Sequence, residues 1–125
     1  MIPVDGVFDP HAFCQQGFCV VRQDPDAIKV VRGRCEIHIQ KVKQGTVLEI
    51  PVMNFRGQKA PTKTLMGYLL ERNGSMNGPG FFGFREGCIY YRAFAGGHES
   101  IEQLALQMQK TVEKLGPKVL NVAKQ

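Results

Sequence analysis

Four cysteines, three histidines and an aromatic hairpin are the parts of this chain whose side chains could do chemistry. Cys14, Cys19, Cys35 and Cys88 include no CxxC pair, and their spacing matches no common zinc module. His11, His38 and His98 could add imidazole ligands. On a strand, however, His38 lies three residues from Cys35 and points to the opposite face, so the two do not converge. A Cys88–His98 nucleophile pair would need hydrogen-bond reach, oxyanion donors and an orienting acid. Cys88 follows a hairpin turn, and nothing around it signals such an elbow. Gly78-Pro79-Gly80 and Gly96-Gly97 lack the spacing and the Lys-Ser/Thr ending of a phosphate loop. The expectation is structural thiols, no metal, no cofactor and no catalysis.

The remaining chemistry is that of surfaces. Net charge is +5 over 125 residues, and it is unevenly placed. Between Ala27 and Thr64 stand Lys29, Arg32, Arg34, Lys41, Lys43, Arg56, Lys59 and Lys63, opposed only by Glu36 and Glu49, which gives this segment +6. A basic segment suits an acidic partner. Arg32, Arg34, Lys41, Lys43, Arg56 and Lys59 are therefore the candidate basic surface. The hairpin 81–92 interleaves Phe81, Phe82, Phe84, Tyr90 and Tyr91 with Arg85 and Arg92, as base-stacking sheets do. Its Gly80-Phe81-Phe82-Gly83-Phe84 run departs from the RNP1 pattern: no basic residue precedes Gly80, and one phenylalanine is extra. Nucleic-acid binding through segment 27–64 and this hairpin is the alternative function. Aromatic residues serving the core are the simpler reading.

These side chains must be positioned by elements that the sequence marks out. Asp9-Pro10 reads as an N-cap with proline at the first helical position, and Gly17 closes that short helix. Strand patterns follow at Phe18–Arg22, around Ile28, Val30 and Val31, at Cys35–Gln40 and at Thr46–Met53. Pro51 cannot donate to a ladder, so its strand is an edge there or carries a bulge. Thr62 or Thr64 caps a helix over Thr64–Asn73, which Asn73-Gly74 ends through a left-handed residue. Glu86-Gly87 turns the hairpin. Ser100-Ile101-Glu102-Gln103 is a capping box. Ile101, Leu104, Ala105, Met108, Val112 and Leu115 form one apolar stripe, and Gly116-Pro117 stops the helix.

This order predicts a single α+β domain over residues 1–125, with helices packed on one side of an antiparallel sheet. Leu65, Leu69, Phe82, Phe84, Ile89, Leu104, Met108 and Val112 are the predicted core. The 43% hydrophobic and 22% charged composition fits a soluble globular protein. No apolar run approaches the roughly 20 residues of a membrane span. Met1–Asp5 lacks the basic and apolar regions of a secretory signal, so a cytoplasmic location without membrane insertion is expected.

The run Leu69-Leu70-Glu71-Arg72-Asn73, a glycine-rich link, Phe82-Gly83-Phe84-Arg85-Glu86-Gly87-Cys88-Ile89 and the helix opening Glu99-Ser100-Ile101-Glu102-Gln103-Leu104 together resemble the YbjN-like family. That family is related to the specialised chaperones of type III secretion. The resemblance covers residues 27–117 in element order and is most specific over 65–115. It implies the order α-β(3)-α-β(2)-α, no active site, a protein partner held in extended form, and a homodimer. Residues 9–16 give a shorter first helix than those chaperones have, and the pI near 9.2 is basic where theirs is acidic. Leu65, Met66, Tyr68 and Leu69 are the expected partner-binding or dimer-interface residues. Met66 and Tyr68 are preferred because they pack without burying a charge. Leu70 widens the same apolar arc.

Overall fold

The alternation of β-branched and polar residues over 19–54 and 81–95 builds one sheet of six antiparallel strands. The computed structural model describes residues 8–55, 61–75, 78–97 and 100–124. Its elements are α1 (Pro10–Gln15), β1 (Cys19–Asp24), β2 (Ala27–Arg32), β3 (Cys35–Val42), β4 (Gly45–Asn54), α2 (Lys63–Ser75), β5 (Phe81–Arg85), β6 (Cys88–Ala95) and α3 (Ile101–Ala123). The spatial order is β1-β2-β3-β4-β6-β5. The first group therefore holds four strands, one more than the resemblance implied. The extra strand is explicable: Pro25-Asp26 turns the chain, and Cys19–Asp24 pairs back on Ala27–Val31 to form one sheet edge.

Burial separates the two faces of the sheet. Ile28, Val30, Ile37, Ile39, Leu48, Ile50, Ile89, Tyr91 and Ala93 alternate along their strands and lie in the core with Phe13, Phe18, Leu65, Leu69, Ala105 and Met108. Helices α2 and α3 pack on each other, with α2 against β5 and α3 against β4 and β6. The opposite face carries Lys29, Glu36, His38, Gln40, Glu49 and Arg92 and is left open.

Local signals work largely as read. Asp9 accepts the His11 N–H at 3.0 Å to cap α1, and Thr62 Oγ1 accepts the Leu65 N–H at 3.1 Å to open α2. Ser100 accepts the Gln103 N–H at 3.3 Å. Both turn residues between β5 and β6 have positive φ, Glu86 at 53° and Gly87 at 78°, the primed geometry that matches strand twist. β4 is an interior strand, and the irregularity demanded by Pro51 is a register shift between Pro51 and Met53.

Three expectations are corrected. Helix α3 does not stop at Gly116-Pro117 but runs on to Ala123 with Pro117 inside it. Proline costs that helix one hydrogen bond and crowds the carbonyl of Glu113. Val119, with no exposed surface, and the half-buried Val122 and Ala123 hold the last turns to the core. Helix α2 does not end at Asn73-Gly74 but reaches Ser75. Phe84 is not buried; it is 43% exposed, because it lies at the end of β5 against Phe55, with ring centroids 6.4 Å apart. Leu104 and Val112 are partly buried and packed against the core, which holds Leu65, Leu69, Phe82, Ile89 and Met108.

Candidate functional site

Among the described residues, the cysteines and histidines do not gather. No group of three His, Cys, Asp or Glu residues that could hold a metal occurs among the described residues. Cys14 and Cys19 are exposed, Cys35 is half-buried and Cys88 is buried, its Sγ 3.6 Å from the Ile89 carbonyl. His98, the proposed companion of Cys88, lies outside the described residues. His38 Nε2 pairs with Glu36 at 2.6 Å. That hydrogen bond, with a smaller contribution from Lys29, holds the Glu36 carboxyl below its ordinary range. Burial raises the Cys35 thiol to about 11, and the nearby charges of Glu113 and Glu36 add to the shift.

The basic segment is dispersed by the strands that carry it. Arg32 Nη1 donates to Gln109 at 3.3 Å, and Gln109 Nε2 returns a bond to the Arg32 carbonyl at 3.0 Å, tying β2 to α3. Arg34 is in the β2–β3 turn, whereas Lys41 and Lys43 lie at the far end of β3. Eight residues of extended chain separate those ends by roughly 25 Å. Arg56 and Lys59 lie outside the described residues.

The open face of the sheet is a shallow trough of about 660 Å³. Strand register lines up Lys29, His38, Glu49, Arg92 and Phe81 across five strands. Glu49 accepts two bonds from Arg85, at 3.0 and 3.1 Å, and is also paired with Arg92. Arg85 also lies over the Tyr90 ring, 4.8 Å from its centroid. Lys29 reaches Glu36 at 3.4 Å, and Arg22 reaches Asp24 at 3.0 Å. Each arginine or lysine lining the trough thus has a carboxylate partner, Glu49 serving both Arg85 and Arg92. Phe81 and Phe94, 49% and 54% exposed, add apolar surface on that face.

The α2–β5 flank is organised by Asn73. Its Oδ1 accepts the Phe82 N–H at 2.7 Å, and its Nδ2 donates to the Phe82 carbonyl at 3.0 Å. The side-chain amide thus stands in for one residue of a neighbouring strand and covers part of the β5 edge. By strand alternation, the Phe84 N–H and C=O point outward on that same edge. On α2, Leu65 and Leu69 are enclosed in the protomer's own core, and Met66 and Tyr68 are half-buried. Arg72 lies 5.4 Å from the Tyr68 ring centroid. Leu70 projects outward at 67% exposure. In the sequence, Asn73 just before a glycine signals a helix terminator and carries no sign of a strand-capping role.

No family model matches the chain, and no curated protein is significantly similar to it. Among solved structures, the chain is similar to one in the heterodimeric ExoU–SpcU complex from the type III secretion system of Pseudomonas aeruginosa. The TM-score is 0.63 at 10% identity, over 92% of this chain and 97% of that one. At that identity the likeness establishes the fold alone: an α+β architecture shared over nearly the whole of both chains. No helix among the described residues is long and apolar enough to cross a membrane.

Proposed function

We propose that this chain is a non-enzymatic protein-binding domain, related to the YbjN-like group, that holds an extended segment of a partner polypeptide in the cytoplasm. The observation that carries the reading is the fold, shared across nearly the whole chain with a component of a two-protein secretion complex. The surface is consistent with it: exposed Leu70, Phe81, Phe84, Phe94 and Leu120 offer apolar area on several sides. The charges of the open face are paired with one another rather than directed outward.

The same reading includes a homodimer through α2. Met66 and Leu70, four residues apart, share one helix face, and Tyr68 flanks it. Leu65 and Leu69 support that face from within. Native mass spectrometry of the chain isolated gently from its own cells tests the proposal. The expected result is a paired chain carrying one polypeptide in fixed stoichiometry. A bare monomer, or a mass removed by nuclease, would overturn it.

A further inference from the structure

The outer face of α3 carries a row of positive charge that the chain itself does not answer. At about 100° per residue, Gln103, Gln107, Lys110, Lys114, Lys118 and Asn121 fall within an arc of about 80°. That arc lies opposite Ala105, Met108, Leu115 and Val119, which the helix buries, and all six residues on it are exposed. The three lysines follow one another at every fourth residue, which sets steps of about 6 Å along the helix. Among the described residues none of them has a carboxylate partner. The acids of α3 lie off this face and are engaged: Glu102 accepts from Ser100 Oγ at 2.8 Å, and Glu113 accepts from Gln109 Nε2 at 3.0 Å.

Such a row works against the helix that bears it, because like charges four residues apart repel. The open face of the sheet is arranged in the contrary way, each cation there having its carboxylate. On α2, which packs against α3, Arg72 likewise has the Tyr68 ring beside it and no carboxylate. The helix layer is therefore the side on which an acidic partner would find cations in line and unneutralised.

We propose that the outer face of α3 holds an extended acidic segment of the protein partner, whose carboxylates on alternate residues meet Lys110, Lys114 and Lys118. Alternate residues of an extended chain are about 6.6 Å apart, so three carboxylates keep step with the three lysines to within about 1 Å over the row. The amides at the two ends, Gln103, Gln107 and Asn121, decide between polypeptide and nucleic acid. A side-chain amide offers a donor and an acceptor together, which a peptide main chain matches and a phosphate backbone, with acceptors only, does not. Asn73 already makes that exchange with the Phe82 main chain. Helix α3 also has no aromatic residue on which a base could stack. The inference rests on the protein-binding reading and adds the partner's chemistry: acidic residues at strand spacing.

The test is ¹⁵N–¹H NMR of the whole chain at low ionic strength, titrated with three probes of equal charge. They are the capped peptides Thr-Glu-Thr-Glu-Thr-Glu-Thr and Thr-Thr-Glu-Glu-Glu-Thr-Thr, and a thymidine tetranucleotide without terminal phosphates. Exposed ion pairs are individually weak, so affinity for the alternating peptide should be about millimolar. The expected result is shifts at the Lys110, Lys114 and Lys118 amides and at the side-chain amides of Gln103, Gln107 and Asn121. The alternating peptide should bind about threefold or more tighter than either other probe, and salt at about 0.5 M should remove the shifts. Lys110→Gln, Lys114→Gln and Lys118→Gln together should abolish binding without lowering the melting temperature, since the sites are exposed and the repulsion is relieved. Arginine at the same three positions should retain it. Equal binding by the two peptides would overturn the strand spacing. A tetranucleotide bound as tightly as the alternating peptide would overturn the polypeptide assignment. Shifts confined to another surface, or none, would overturn this face, while the native-mass experiment judges the protein-binding reading separately.

Discussion

Replacing Asn73 by Ala removes the two bonds that pair α2 with the Phe82 main chain. A hydrogen bond of this kind contributes about 0.5–1.5 kcal/mol net, so the pair contributes about 1–3 kcal/mol. Two effects reduce that. Asn73 is half-buried, so water can reach some of what is left behind. Alanine also improves helix propensity by about 0.6 kcal/mol. The net loss should be about 1–2 kcal/mol. Urea unfolding followed by far-ultraviolet circular dichroism reads it as a midpoint lowered by about 0.5–1 M, given a slope of about 2 kcal/mol/M for a domain of this size. Hydrogen exchange locates the effect: the Phe82 amide should lose protection, while Tyr91, in the neighbouring strand, keeps it. A midpoint unchanged within about 0.2 M, or a Phe82 amide that stays protected, would refute the clamp.

Three further outcomes follow from burial and backbone geometry. Phe82→Ala should cost about 3–5 kcal/mol and Phe84→Ala less than about 1.5 kcal/mol, because only the first ring is enclosed; equal losses in urea unfolding would overturn the face assignment. With Ellman's reagent near pH 8, Cys14 and Cys19 should react fast and Cys35 slowly. A thiol raised to about 11 is ionised to only about one part in a thousand there. The sign for stability follows: the folded state favours protonated Cys35, so its contribution is full below about 9 and is lost as pH rises toward about 11. A Cys35→Ala variant should lose that alkaline slope in melting temperature. Pro117→Ala should stabilise by about 1–3 kcal/mol by restoring an N–H inside α3, and a lowered melting temperature would contradict it.

Element types were legible because local chemistry and burial agree over most of the chain. Asp9-Pro10, Ser100 and Glu86-Gly87 each act through the nearest few residues, and those signals survive folding. The errors arise where tertiary packing outweighs a local signal. Pro117 reads as a stop, yet Val119 is drawn into the core strongly enough to carry the helix past it. Asn73 reads as a terminator because nothing in sequence says its amide will meet a strand edge nine residues on. Phe84 shares the inward parity of Phe82, but parity does not say where the covering helices end. The surface was less legible still. Arg34 and Lys43 belong to one basic segment in sequence and to opposite ends of β3 in space. The pairing of Glu49 with Arg85 and Arg92 depends on a register between β4, β6 and β5 that composition does not encode.

The most direct test of the protein-binding account is site-specific photocrosslinking in the cells that make this chain. A benzophenone side chain placed at Phe84 and at Leu120 reports on the two apolar sites, and one at the exposed Asp26 serves as the control. The account predicts adducts to one polypeptide from the first two positions, resistant to nuclease and weak or absent from the third. Adducts released by nuclease, or adducts no stronger than those from Asp26, would contradict it.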